Sequence, residues 1–278
     1  MDDNKYVLIE EKELKEIADF LLAKYRLDFS NYTKTSFGRR IARFYNIHAL
    51  NNVTDLISYL EREEGGLTLF INEVTVNTTE MFRDPEFWKF LRFELIPTFS
   101  ELNSIRIWHA GCSTGEEVVS MIILLTELNL IEKAKIVGTD INSEVLTKTQ
   151  RFEFRSKELE VYQKNYLESG GTGMLSEYFI QQGESLLLKD EFKPANILFK
   201  LHNLAIDEPF SKFDLILCRN VMIYFDEVLQ SKAVKKFKQS LFKKSYLAVG
   251  RKENISFLPE SSELNCINSK EKVYQTQK

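Results

Sequence analysis

The sequence predicts an α/β fold, a parallel sheet of buried strands preceded by a small all-α domain. Three observations lead there. Over residues 8–99 the apolar residues recur at helical spacing, and from residue 105 onward short apolar strands alternate with helical stretches. That alternation is the pattern of a parallel α/β sheet. Four of the strands each end in a polar or small-residue segment, and in an open α/β sheet such strand ends line the ligand crevice.

In chain order, Leu14, Ile17, Leu21 and Leu22 mark a first helix, and Leu56, Ile57 and Leu60 a later one. A further helix over 67–71 follows Glu64-Gly65-Gly66, where two glycines break the helical pattern. The reading is a helical domain over 1–78 and a helical linker over 79–101. The remainder, 102–278, opens with a strand at 105–108, a glycine-bearing turn, and a helix carrying the apolar run 118–125. Strands follow at 134–138, 197–202 and 213–218, with a helix starting near Ser143. Between Gly173 and Pro194 the alternation stops. There 178–182 and 185–189 flank Gly183-Glu184, two strand-like runs about a short turn, which read as a β-hairpin. An antiparallel insertion is expected at about 174–194.

Composition narrows the class. No apolar stretch approaches the roughly 18 residues that span a bilayer. The segment Met1-Asp2-Asp3-Asn4-Lys5 is acidic and polar, unlike a secretory signal. A cytoplasmic protein without membrane insertion is expected. The three cysteines, Cys112, Cys218 and Cys266, show no metal-ligand spacing and cannot all pair with one another. Reduced thiols and no metal are therefore expected, with Cys112 and Cys218 as small buried hydrophobes. A net charge of −4 gives no reason to expect nucleic acid.

The densest chemistry lies in Trp108-His109-Ala110-Gly111-Cys112-Ser113-Thr114-Gly115-Glu116-Glu117. A helix N-terminus offers free N–H groups and partial positive charge, so it suits phosphate. Two carboxylates placed there repel a pyrophosphate but suit an adenosine-bearing ligand with cationic groups. S-adenosylmethionine, with its ammonium and sulfonium, is such a ligand. The same residues also fit plain helix capping, since Ser113 with Glu116 and Thr114 with Glu117 have capping-box spacing. Gly111-x-x-x-Gly115 is not the glycine pattern of dinucleotide binders. Thr139-Asp140 closes the second strand and puts an acid within reach of ribose hydroxyls, with an N-cap of the next helix as the alternative. Asn203-Leu204 ends the third strand and Arg219-Asn220-Val221 the fourth.

Asn77-x-Thr79-x-x-x-Arg83, Cys112-Ser113-Thr114-Gly115-Glu116-Glu117, Thr139-Asp140-Ile141-Asn142 and Cys218-Arg219-Asn220-Val221-Met222-Ile223-Tyr224-Phe225 occur in that order. Together they resemble the chemotaxis receptor glutamate methyltransferases of the CheR type, over about residues 29–250. The resemblance implies a Rossmann-like S-adenosylmethionine-dependent methyltransferase sheet with a small β insertion, and S-adenosylhomocysteine as product. It implies donor contacts from Asn77, Thr79, Arg83, Glu117, Asp140, Asn203, Leu204, Asn220 and Val221. The implied partner is the acidic helical cytoplasmic region of a chemoreceptor or related signalling protein, whose glutamates a monomeric enzyme converts to methyl esters in sensory adaptation. Two departures stand out. Val118-Val119 follows Glu117 where relatives have Pro-Tyr, and Arg251-Lys252-Glu253-Asn254 replaces a Ser-Glu-Asn segment. The second is expected to reshape the substrate side of the cleft. The alternative is a diverged or catalytically silent S-adenosylmethionine-binding signalling or scaffold protein. A nucleic-acid amino-methyltransferase would carry an Asn/Asp-Pro-Pro-aromatic motif after the fourth strand to hold a flipped base, and Arg219-Asn220-Val221-Met222 has no proline.

Between Asp28 and Asp55 there is no acid, while Lys34, Arg39, Arg40 and Arg43 are present. Arg39, Arg40 and Arg43 fall on or near one helical face, with Ile41 and Phe44 turned into the domain. Such a face is either simply solvated or, as the resemblance implies, docks acidic receptor helices by electrostatic steering. Glutamate is ionised at neutral pH and needs no general base, so the reaction asks for alignment and exclusion of water. The three histidines, His48, His109 and His202, are assigned structural roles. Arg83 is the candidate for positioning either the donor carboxylate or the incoming glutamate. Tyr224 is the candidate for a hydroxyl or ring near the methyl group, with a place in the core as its alternative.

Overall fold

In the computed structural model, which describes residues 9–75 and 78–277, four helices come first: α1 (Glu11–Tyr25), α2 (Lys34–His48), α3 (Val53–Arg62) and α4 (Gly66–Val74). Their ends follow local chemistry. Glu10 and Glu13 form a reciprocal capping box on α1, and Asn52 Oδ1 accepts from Asp55 N at 2.9 Å to start α3, each satisfying N–H groups that the first helical turn leaves free. The apolar face of α2 buries Phe37, Ile41, Phe44 and Tyr45 against Leu14, Ile17, Leu21, Leu56 and Phe70. Next comes α5 (Pro85–Phe90), which runs on through a π-helical turn, Leu91–Leu95, and a 3-10 turn, Ile96–Phe99. The linker expected to be helical over 79–101 is thus helical only from Pro85. Phe82 and Asp84 take left-handed φ of 52° and 58°, which no helix accommodates, and proline suits the first helical position.

The rest of the chain gives β1 (Ile105–Ala110), α6 (Glu116–Glu127), β2 (Ala134–Asp140), α7 (Ser143–Arg151), β3 (Glu153–Arg155) and α8 (Leu159–Glu168). Then follow β4 (Phe179–Gln182), β5 (Ser185–Leu188), β6 (Ile197–Leu201), β7 (Phe213–Cys218), α9 (Glu227–Gln239), β8 (Leu241–Val249), β9 (Leu264–Asn268) and β10 (Val273–Thr276). Seven strands make one sheet in the order β6-β2-β1-β7-β8-β10-β9. From β6 to β8 all neighbours are parallel, and β10 is antiparallel to both β8 and β9. Side chains of β1 alternate between two cores: Ile105 and Ile107 pack with α5 and α6, whereas Trp108 and Ala110 pack with α9. A parallel strand covered on both faces must be apolar on both. The register sets Ala110 beside Thr139, His109 beside Leu217 and Asp140 beside Leu201, so the segments after β1, β2, β6 and β7 gather at one edge.

The sequence pattern anticipated four strands of this sheet, and β8, β9 and β10 complete it. In β8 the alternation is masked by exposed Lys243 and Lys244. Lys244 has φ 59°, and the pairing of β7 with β8 slips between Phe213 and Leu215. The hairpin of β4 and β5 turns at Gly183-Glu184, with Gln182 opposite Ser185. Its sheet has a third member that was not anticipated, β3, paired antiparallel with β5. Three residues are too few for periodicity to reveal. Around the gathered strand ends the helical layer is stitched to the sheet. Thr33 N donates to Tyr224 O at 2.8 Å, Asp226 N to Asn31 O at 2.9 Å and Asn142 Nδ2 to Asn72 Oδ1 at 2.6 Å. Among the described residues no helix is long and apolar enough to cross a membrane.

Candidate active site

The turn after β1 brings backbone where side chains would clash. Gly111 has φ 79° and a Cβ there would meet Val221 Cγ2 at 2.4 Å; Gly115 has φ 94° and a Cβ there would meet Thr149 Cγ2 at 2.5 Å. Only glycine takes both the angle and the contact. Gly111 N and Cys112 N donate to Thr139 O at 2.7 and 2.9 Å, and Ser113 N to Asp140 Oδ2 at 2.9 Å, which ties the turn to the end of β2. The N-cap of α6 is Gly115, and no side chain caps it. The capping-box spacing therefore goes unused. Glu116 instead accepts from Thr114 Oγ1 at 2.6 Å and Tyr162 OH at 3.5 Å, and burial pushes its carboxyl up against those bonds. Glu117 is left facing the open side.

Glu117 is held between two side chains. His109 Nδ1 donates to Oε1 at 2.8 Å, and Arg219 Nη1 to Oε2 at 3.2 Å. Burial pushes this carboxyl up, but His109 and Arg219 outweigh burial and keep it below its ordinary value, since contacts favouring the charged form lower a pKa. Arg219 is itself enclosed, its side chain 2% exposed. Its Nη2 lies 2.7 Å from Asp84 Oδ2 and 3.1 Å from Arg83 O, and its guanidinium carbon lies 4.0 Å from the centre of the Phe87 ring.

A cleft of about 960 Å³, counted out to its open mouth, lies over these strand ends. Its lining includes Gly111, Ser113 and Glu117 from the β1 turn and α6, Asp140 and His202 from the ends of β2 and β6, Asn220 and Tyr224 from the segment after β7, and Tyr32 from the helical layer. Asp140 does not cap α7. That cap is Asn142, whose Oδ1 accepts from Glu144 N and Val145 N at 3.0 and 3.4 Å. Asp140 accepts from Ser113 N and Asn142 N at 2.9 and 3.0 Å, and burial raises its carboxyl more than those N–H groups lower it. Ser113 Oγ, His202 Nδ1 and Asn203 Nδ2 are buried, belong to cleft-lining residues, and have no hydrogen-bond partner among the described residues. Buried polar atoms in native proteins are otherwise nearly always partnered, so these three fit a polar ligand in the cleft. Beyond Asn220, which has φ 61°, the buried carboxylate of Glu253 accepts from Asn220 N at 3.0 Å, Val221 N at 2.9 Å, Ile223 N at 3.1 Å, and Gly250 N.

Thr79, Arg83, Glu117, Asp140, Asn203, Leu204, Asn220, Val221 and Tyr224 all line this cleft. Asn77 lies outside the described residues. Cys112 and Cys218 are buried, and burial pushes both thiols well above their usual range, which keeps them un-ionised and non-nucleophilic. Arg39, Arg40 and Arg43 are on α2 and do not line the cleft. Arg40 is half-buried, and it and Arg43 lie 3.6 and 3.3 Å from Glu73. Arg39 is exposed and makes no ion pair among the described residues. The face of three free arginines thus narrows to Arg39 and the exposed side of Arg43. Asp84, Arg219 and Glu253 went unassigned in the sequence. Arg219 stands inside a motif quoted above, a charge directly after a buried strand, and that was a usable signal. Glu253 holds the loop that carries Asn220 and Val221. His109 is fully buried, and its link to the cleft runs through Glu117.

Comparison with known proteins bears directly on this site. A family model described as CheR methyltransferase, SAM binding domain, matches residues 77–273, and one described as CheR methyltransferase, all-alpha domain, matches residues 12–75. The chain is 33% identical over 271 residues to a chemotaxis protein methyltransferase of Borreliella burgdorferi, covering 91% of this chain and 93% of that one. With the chemotaxis protein methyltransferase of Listeria innocua it shares 30% over 231 residues, 82% and 85% of the two chains. With that of Escherichia coli it shares 27% over 259 residues, 90% and 87%. Among solved structures, a SAM-dependent methyltransferase from Methanosarcina mazei aligns over 56% of each chain at 17% identity and a TM-score of 0.32, a likeness too slight to bear on the argument.

Proposed function

The chain belongs to the CheR family of S-adenosylmethionine-dependent methyltransferases, and we propose that it moves a methyl group from S-adenosylmethionine to glutamate side chains of a chemoreceptor or related signalling protein. The products are glutamate methyl esters and S-adenosylhomocysteine. The observation that supports this reading best is the sign of the cleft's charge. At a strand–turn–helix where phosphate binders present bare N–H groups, this chain presents Glu117 and Asp140.

Within that reading Glu117 takes the donor's ammonium and Asp140 its ribose hydroxyls. Asn203, whose Nδ2 is buried without a partner among the described residues, and Leu204 take the adenine. Thr79, Asn220 and Val221, with Asn77 by motif, complete the set. Arg83 positions a carboxylate, of the donor or of the incoming glutamate, and Tyr224 offers its hydroxyl or ring near the transferred group. S-adenosylmethionine supplies, when bound, an electrophilic methyl group on a sulfonium. The glutamate oxygen forms a bond to that carbon as the carbon–sulfur bond breaks, and no proton has to move. The imidazole of His109 is accordingly turned to Glu117, and the step asks for no proton transfer from His202, which lines the cleft. Opposite charges merge in the step, so a water-poor, pre-aligned site favours it. Tyr32 and Tyr224 line the cleft and serve to exclude water from it. The exposed arginines of α2, Arg39 and Arg43, are the docking face for an acidic receptor helix in the cytoplasm.

The test is to incubate the protein with donor labelled in its methyl group and membranes carrying chemoreceptors. Base-labile label in receptor-sized protein is the expected result. Label that survives base, or none above a control without enzyme, would refute glutamate as the acceptor.

A further inference from the structure

We infer that Arg219 is the positioning residue that sets Glu117 and Arg83 as the two charged contacts to the amino-acid end of the donor, a conclusion that rests on the donor reading above and takes from it the donor's carboxylate as the partner of Arg83. One guanidinium joins the two segments that carry those contacts. Through Nη1 it holds Glu117 at 3.2 Å; through Nη2 it holds Asp84 at 2.7 Å and the carbonyl of Arg83 at 3.1 Å. The residue meant for an ammonium and the residue meant for a carboxylate are therefore fixed by the same planar fork, whose geometry a lysine cannot reproduce.

The segment it holds is a strained one. Phe82 and Asp84, on either side of Arg83, both have left-handed φ, a conformation disfavoured for a residue with a Cβ. Such a bend persists only where its surroundings over-determine it. Phe82 N is held by Ser120 Oγ at 2.8 Å, and the carbonyl of Arg83 also accepts from Trp88 Nε1 at 3.1 Å. Arg219 supplies the charged tie and is the only one of these ties that also reaches Glu117. Its electrostatics suit the task. One guanidinium faces two carboxylates, Asp84 and Glu117, so the cluster keeps a negative charge for an incoming ammonium, while Arg219 prevents Glu117 from turning toward other donors.

The test compares two ligands that share adenosine and differ at the amino-acid end: S-adenosylhomocysteine, which has it, and methylthioadenosine, which lacks it. Their affinities are measured by calorimetry for wild type, Arg219→Lys and Asp84→Asn, with thermal unfolding alongside. Asp84→Asn loosens the same fork from its more exposed end, and so remains informative if Arg219→Lys fails to fold. Both variants are expected to bind S-adenosylhomocysteine roughly tenfold or more weakly, the scale of losing one charge-assisted hydrogen bond. Methylthioadenosine should stay within about twofold, since its contacts are not ones the fork orients. A purely structural Arg219 would weaken both ligands alike, and that result, or no change in either, overturns the inference while leaving the donor site standing. If wild type binds neither ligand, the donor reading itself falls and takes the inference with it.

Discussion

Replacing Glu253 by Gln should loosen the loop that carries Asn220 and Val221, and its cost can be worked from the hydrogen bonds. The carboxylate accepts four backbone N–H groups, those of Asn220 and Gly250 on Oε2 and those of Val221 and Ile223 on Oε1. An amide turns one of the two oxygens into a donor, so two buried N–H groups lose their acceptor. At about 1–3 kcal/mol for each, the gross loss is about 2–6 kcal/mol. Burial raises the Glu253 carboxyl more than its backbone N–H partners lower it, so removing the charge recovers part of that loss. The net expectation is about 2–3 kcal/mol, a large share of the 5–15 kcal/mol typical of a domain. Urea unfolding followed by the fluorescence of buried Trp88 and Trp108 reads it directly: at a slope of roughly 2 kcal/mol/M the midpoint falls by about 1 M. A pH series gives a second check. A carboxyl whose pKa is raised on folding costs the folded state when it ionises, so wild type regains stability as the pH falls through that raised value. The variant lacks the group, and the gap between the two should widen on acidification. Calorimetry with S-adenosylhomocysteine should show weaker binding. Equal midpoints together with equal affinity would refute the claim that Glu253 holds this loop.

Asp140→Ala should weaken S-adenosylhomocysteine by about 1.5–3 kcal/mol, the range for hydrogen bonds to a charged group, and calorimetry showing unchanged affinity would remove Asp140 from the ribose. Because burial raises its carboxyl, wild-type affinity should decline as the pH falls through that value, whereas Asp140→Asn should not show the decline. The same protonation favours the folded state, so lost affinity on that limb is not unfolding. Arg39→Glu combined with Arg43→Glu should slow methylation of an intact acidic receptor and leave donor affinity alone. The wild-type rate should fall with added salt, since exposed charges are screened over about 8–10 Å at physiological ionic strength. Equal initial rates for the two proteins at low salt would restore a merely solvated face.

What the sequence made legible was whatever its chemistry repeats. Parallel strands buried on both faces must be largely apolar, and β1, β2 and β7 announced themselves that way; β6, the half-exposed edge strand, announced itself by its short apolar run alone. β8 did not, because Lys243 and Lys244 interrupt it at a bulge, and β3 did not, because three residues carry no period. The linker misled for a related reason: apolar spacing counts side chains and is blind to φ, so it ran a helix through Phe82 and Asp84, where the backbone turns left-handed.

The same distinction separates the residues of the site. Glu117 and Asp140 could be read because each follows a strand end within a few positions, where the fold alone dictates proximity to the cleft. What holds them could not. Asp84 and Arg219 are 135 positions apart, and Glu253 lies 33 beyond Asn220. Their pairing is a product of sheet order, in which β7 is inserted beside β1 and β8 brings Gly250 back to the loop after β7. Charge still left a trace. A buried arginine after an apolar strand must find carboxylates, since an unpaired buried charge is strongly destabilising. With Glu117 already assigned to the ammonium, Arg219 needed at least one further acid to leave that carboxylate able to bind a cation. Asp84 is that acid. Two carboxylates about one guanidinium is the smallest set that fixes Glu117 in place without cancelling its charge.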